Sequence, residues 1–169
     1  MDNSILGFIG VIAGAVIGAS ASIVTTILTS NNSVRLQRDT DALERMERAR
    51  SFQRDTLLAV QDTLNEALRL MVQAHLEDLD AHRKGGVWGR NDLSTDIAEK
   101  KRVTNQKLAA LTERIADDSL RNELKGLRSN IDITSFSTSQ DAAKNSLHNT
   151  VIQAEKLMEN LGLLLRSQY

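Results

Sequence analysis

From Ile5 to Leu28 the chain runs 24 residues without a charge. A helix rises about 1.5 Å per residue and the hydrocarbon core of a bilayer is about 30 Å thick, so a run of this length spans with some tilt. A buried helix of a water-soluble domain seldom goes so far without one ionised group. The competing reading is an export signal, because Ala19-Ser20-Ala21 has the small-x-small form of a cleavage site. Two features count against it. "MDNS" carries Asp2 and no basic residue, and hydrophobicity continues past the triplet through Ile23, Val24, Ile27 and Leu28. The expectation is a transmembrane helix within residues 1–30.

Glycine recurs in this run at Gly7, Gly10, Gly14 and Gly18. At 100° per residue the four fall within an arc of about 80°. Ala21, Ser22 and Thr25 continue that side, and Ile5, Phe8, Ile9, Ile12, Val16, Ile23 and Ile27 gather opposite. Small residues on one face let two helix backbones approach closely in lipid, which predicts a packing face and a homo-oligomer. The plainer explanation is that glycine is common in membrane helices.

Basic residues set the orientation. None precedes the run, whereas Arg35, Arg38, Arg45 and Arg48 follow it. By the positive-inside rule the N-terminus lies outside and the C-terminal part in the cytoplasm, as a single-pass protein of a plasma or inner membrane.

Composition carries the rest of the fold class. The chain has no proline, and Phe8, Phe52, Trp88, Phe136 and Tyr169 are its only aromatic residues. Nothing forces a break, so long helices with an aliphatic core are expected. Between Ser33 and Lys84 there is no glycine either, and one very long helix is predicted. Leu36, Leu43 and Met46, then Leu57, Val60, Leu64, Ala67, Met71 and Ala74, keep 3–4 spacing, with polar interruptions at Arg50 and Gln53. Residues 31–56 therefore read as a helical stalk, braced by Asp41–Arg45 and Glu44–Arg48, and 57–169 as a helical bundle.

"RKGGVWGRND" (83–92) is the clearest turn. Trp88 within it either closes the end of the bundle core or forms a contact for a protein partner. A straight helix of roughly 50 residues would hold this turn about 75 Å from the bilayer, so Trp88 is not expected to be an interfacial anchor. Asp96 with Glu99 has capping-box spacing for a second helix bearing Ile97, Leu108, Leu111 and Ile115. "ADDS" (116–119) supplies a cap for a third, through Leu120, Leu124 and Leu127. Residues 130–139 read as a polar connector with Ile131, Ile133 and Phe136 tucked inward. Thr138 with Asp141 is expected to cap a last helix through Leu147, Val151, Ala154, Met158, Leu161 and Leu165. The fold class expected is all-α: one N-terminal transmembrane helix, a long stalk helix and an antiparallel bundle joined by short turns.

Chemistry is sparse. His75, Asp78 and His82 sit at i, i+3 and i+7 and in principle share a metal, though Leu76 and Leu79 place them more naturally on a solvated face. No Glu-x-x-His pair, HExxH, GxSxG, P-loop or EF-hand sequence is present, and there is no cysteine. No enzyme is expected and no cofactor is implied. With 21 Lys and Arg against 22 Asp and Glu, no nucleic-acid partner is expected either.

"ARSFQRDTLLAVQDTLNEALR" (49–69), behind a single span and an Arg/Glu-rich stalk, resembles a segment of small single-pass bacterial inner-membrane proteins with a cytoplasmic coiled-coil or helical domain. The likeness covers residues 5–80 and implies a bacterial membrane setting, with no mechanism attached. Phage inner-membrane spanins share the plan but keep their helices outside, behind a basic N-terminal tail, and "MDNS" departs from that. The function expected is a membrane-tethered, self-associating interaction or scaffold module that presents its bundle to a protein partner. The alternative is a membrane-active effector of lysis, phage defence or toxin type, acting through its glycine-packed helices.

Overall fold

A computed structural model describes residues 3–89 and 93–169; before Leu28, side chains are described only at Gly14, Gly18, Ser22, Thr25 and Thr26. Four helices follow in order: α1 (Asn3–Arg83), α2 (Thr95–Thr112), α3 (Asp118–Ser135) and α4 (Gln140–Ser167), with no strand among the described residues. The all-α expectation holds. The chain divides into two compact units, Met1–Arg48 and Ala49–Tyr169.

In the first unit Gly14, Gly18, Ser22 and Thr25 are exposed, and a Cβ added at Gly14 or Gly18 would meet nothing within 4 Å. Gly7, Gly10 and Ala21, the rest of the predicted packing face, lie outside the described side chains. Among the described residues no helix is long and apolar enough to cross a membrane; most side chains of the Ile5–Leu28 run lie outside the described ones. Of the two expected stalk pairs, Glu44–Arg48 closes at 2.9 Å and Asp41–Arg45 does not.

The second unit is a four-helix bundle with successive helices antiparallel. Its core is the α1 seam of Leu57, Val60, Leu64, Ala67 and Met71 against Leu108 and Leu111 of α2, Leu120, Leu124 and Leu127 of α3, and Ala154, Leu157 and Leu161 of α4. Among the described residues the polar side chains buried with them are all threonines: Thr56, Thr63, Thr112, Thr134 and Thr150. A threonine hydroxyl satisfies itself on the carbonyl one turn back, as Thr63 does on Ala59 (2.7 Å) and Thr112 on Leu108 (2.7 Å), so the core carries them without a stranded donor.

Bonds between side chains and turns fix the direction of each helix. Gln53 explains the polar break in the α1 seam. Its amide donates to the Arg114 carbonyl (3.0 Å) and accepts from the Ala116 N–H (2.9 Å), tying the α2–α3 turn to the start of the bundle portion of α1. At the other end Glu77 accepts from the Ser94 N–H (3.0 Å) where α2 begins. Asn130 of α3 reaches Gln153 of α4 and Asn160 reaches back to Glu123, as antiparallel neighbours must.

Three local expectations need correction. Residues 130–135 are helical, and the α3–α4 connector is only 136–139. β-Branched and polar residues make that stretch a poor helix by propensity, but packing overrides propensity here. Ile131 enters the core, and the Thr134 hydroxyl bonds the Asn130 carbonyl (2.8 Å) and Ser146 on α4 (2.7 Å). Ile133 and Phe136, expected inside, are exposed, Phe136 at 81%. The capping box at Asp96 and Glu99 does not form. Those carboxylates pair with Lys100 (2.6 Å) and Arg102 (2.6 Å), and the α2 N-cap is Ser94, its amide held by Glu77. Ser139 rather than Thr138 caps α4, accepting from the Ala142 N–H at 3.3 Å. Of the two aspartates in "ADDS", either of which could cap α3, Asp117 does so, taking the Leu120 N–H at 2.8 Å.

Candidate functional site

The α1–α2 turn and the α3–α4 connector lie at the same end of the bundle, and a chamber opens between them. The turn begins with glycine in the left-handed region: Gly85 has φ of 95°, with Gly86 N–H on the Ala81 carbonyl (3.0 Å) and Gly85 N–H on His82 (3.0 Å). This paired bonding ends a helix tightly and turns the chain back. Gly89 is the second left-handed residue (φ 67°), and a Cβ there would stand 3.1 Å from the Ser137 carbonyl. Absence of a side chain thus lets the turn close against the connector.

Trp88 is folded inward by this turn and is only 7% exposed. His75 meets it edge-on at a centroid distance of 5.4 Å, and His82 at 5.9 Å from a second direction. His82 is further held to the turn by contact between Nδ1 and the Gly86 carbonyl (3.0 Å). The three residues singled out for a metal therefore part company. His75 and Asp78 line the chamber, His82 braces the turn, and among the described residues no group of three His, Asp or Glu is placed to hold a metal ion.

The chamber has a volume of about 610 Å³. Met71 and Ala74 form its apolar wall on α1, Trp88 and Phe136 supply aromatic surface, and Lys101 of α2 with Thr134 and Ser135 of α3 face them. No protein-family model matches this sequence, and no curated protein or solved structure is significantly similar to it. What the chamber does rests on its own chemistry.

That chemistry centres on Lys101. Its ammonium donates to Ser135 Oγ at 2.6 Å, and Ser135 passes a bond on to the Ile131 carbonyl at 3.1 Å. Burial holds the Lys101 pKa below the ordinary lysine value, opposed by attraction to Asp132 and Asp78. Asp78 itself makes no hydrogen bond or close ion pair among the described residues and acts on Lys101 only through space. The ring nitrogens of His75 are likewise without a hydrogen bond among the described residues; its ring meets Trp88 edge-on. A cation, a carboxylate and an imidazole thus converge on one cavity with bonding capacity to spare.

Sequence reasoning singled out His75, Asp78 and Trp88 and missed Lys101, Ser135 and Thr134. Lys101 sits in "EKKR", where nothing separates it from its solvated neighbours. Only the packing of α2 against α3 turns that one lysine inward.

Proposed function

We propose that this chain is a membrane-tethered, self-associating helical module that presents its four-helix bundle to a protein partner. The observation that carries the reading is the uncharged run from Ile5 to Leu28 with small residues on one face. Gly14 and Gly18 are open on the single chain, leaving room at that face for the backbone of a second helix. The arginines that follow the run favour a cytoplasmic bundle in an inner, or plasma, membrane.

Cross-linking and size-exclusion of the full chain in mild detergent test the proposal. A dimer or higher oligomer is expected, with Gly14→Ile lowering the cross-linked yield several-fold, because a β-branched side chain holds the backbones apart. A strict monomer, unchanged by Gly14→Ile, would sink it.

A further inference from the structure

The end chamber has the marks of a small-molecule site. Its volume of about 610 Å³ lies within the range of roughly 300–1,000 Å³ that such pockets occupy, and it joins apolar walls to a few convergent polar groups. All of its residues belong to the second unit, so the inference does not depend on the membrane reading.

The charges select the ligand. Among the described residues that line it, the chamber presents one anion, Asp78, and one cation, Lys101, and each keeps unused hydrogen-bonding capacity. A simple anion drawn to Lys101 would be repelled by Asp78, and a simple cation drawn to Asp78 by Lys101. A molecule carrying both charges meets a partner for each, and the partly desolvated setting strengthens both attractions. Its apolar part has Met71, Ala74 and the Trp88 ring to cover it.

We propose that the chamber between the α1–α2 turn and the start of the α3–α4 connector binds a small zwitterion of the α-amino-acid class with an apolar side chain. The ligand's ammonium lies toward Asp78 and its carboxylate toward Lys101 and Ser135. His75 stands on the Asp78 side, one helical turn away on α1, with ring nitrogens free to complete the polar contacts. Phe136, at the mouth and mostly exposed, gains cover when the chamber fills.

Trp88 is the chain's single tryptophan, so its fluorescence reports on this chamber alone. The test titrates the full chain in mild detergent with L-leucine, L-methionine and L-phenylalanine. Two truncated relatives of leucine accompany them: 4-methylpentanoate, which lacks the ammonium, and 3-methylbutylamine, which lacks the carboxylate. At least one amino acid is expected to give a saturable change in Trp88 emission. The truncated relatives should bind at least tenfold more weakly than leucine. Asp78→Asn and Lys101→Met should each weaken amino-acid binding at least tenfold, and Asp78→Asn should spare or improve binding of 4-methylpentanoate. If a variant loses helicity, the two truncated relatives on the unaltered chain still decide the matter. No saturable response to any of the three amino acids up to about 10 mM overturns the proposal. So does equal binding of either truncated relative, which would make the chamber a plain anion or cation site.

Discussion

Leu43 and Leu64 fall at the same place in the 3–4 apolar pattern, three heptads apart, yet Leu43 is 63% exposed and Leu64 is fully buried. Leu36 and Met46 share the fate of Leu43, and Leu57 and Met71 that of Leu64. The spacing is the same in both units. What differs is that α2, α3 and α4 cover the seam in the second. Hydrophobic periodicity marks a face that is able to be buried; it does not say by what. In the first unit the described apolar residues from Leu28 to Met46 are uncovered, and the second unit is a closed core.

The largest effect that sharpens this contrast is truncation of the seam on each side. Leu64→Ala should cost about 2–5 kcal/mol of bundle stability, because α2, α3 and α4 cannot collapse fully into the gap. Leu43→Ala should change stability by less than about 0.5 kcal/mol if that residue stays in water. Urea denaturation followed by circular dichroism measures both. A cost for Leu43→Ala comparable with that of Leu64→Ala would break the comparison and place a second chain over the first unit's seam.

The contrast also shows what was legible in the sequence. Four helices, much of their apolar stripes and an aspartate cap within "ADDS" follow from period and local chemistry, and the structure has them; Val151, expected in the α4 stripe, is exposed, and Leu157 is buried instead. Gln53 was not legible, because a polar residue in an apolar seam reads as a break. Its partners, the Arg114 carbonyl and the Ala116 N–H, lie some sixty residues on in the chain. The helical continuation through Ile131 to Ser135 was hidden for the same reason. Local preference argues for a connector, and the opposing vote comes from Ser146 on another helix. In the chamber, Trp88 and His75 stood out by residue type, whereas Lys101 acquires its character only from burial. Local signals are readable in one sequence; signals that need a distant partner are not.

Glycines divide along the same line and give the next effect in size. Gly14 faces open space, so Gly14→Ala should leave the unfolding of the bundle unchanged. Gly89 combines a left-handed backbone with a Cβ position 3.1 Å from the Ser137 carbonyl. Gly89→Ala should therefore destabilise the bundle by about 1–2 kcal/mol from backbone strain alone, and the crowding of Ser137 adds to this. The Trp88 emission should shift to longer wavelength as the turn loosens and the ring meets water. A Gly89→Ala protein that melts like the parent, with Trp88 emission unmoved, would show that the turn does not need its close approach to the connector.

The smallest effect separates Lys101 from the lysines around it. Burial lowers its pKa, so the folded chain binds that proton less tightly than the unfolded chain does. The cost to stability is fully present below the lowered, folded-state pKa. It is relieved as pH rises and is gone above the ordinary lysine value of about 10.4. Lys101→Met removes the titrating group and leaves Ser135 Oγ its bond to the Ile131 carbonyl. The variant should be slightly more stable than the parent near neutrality, and the difference should shrink as the pH climbs into the alkaline range. Lys100→Met, at an exposed neighbour paired with Asp96, is the matched control for the loss of one lysine. Denaturation midpoints of the three proteins across the alkaline range read this directly. A constant gap between Lys101→Met and the parent would mean that the ammonium is as well solvated folded as unfolded. The end chamber would then lack the partial desolvation that strengthens its hold on a charged ligand.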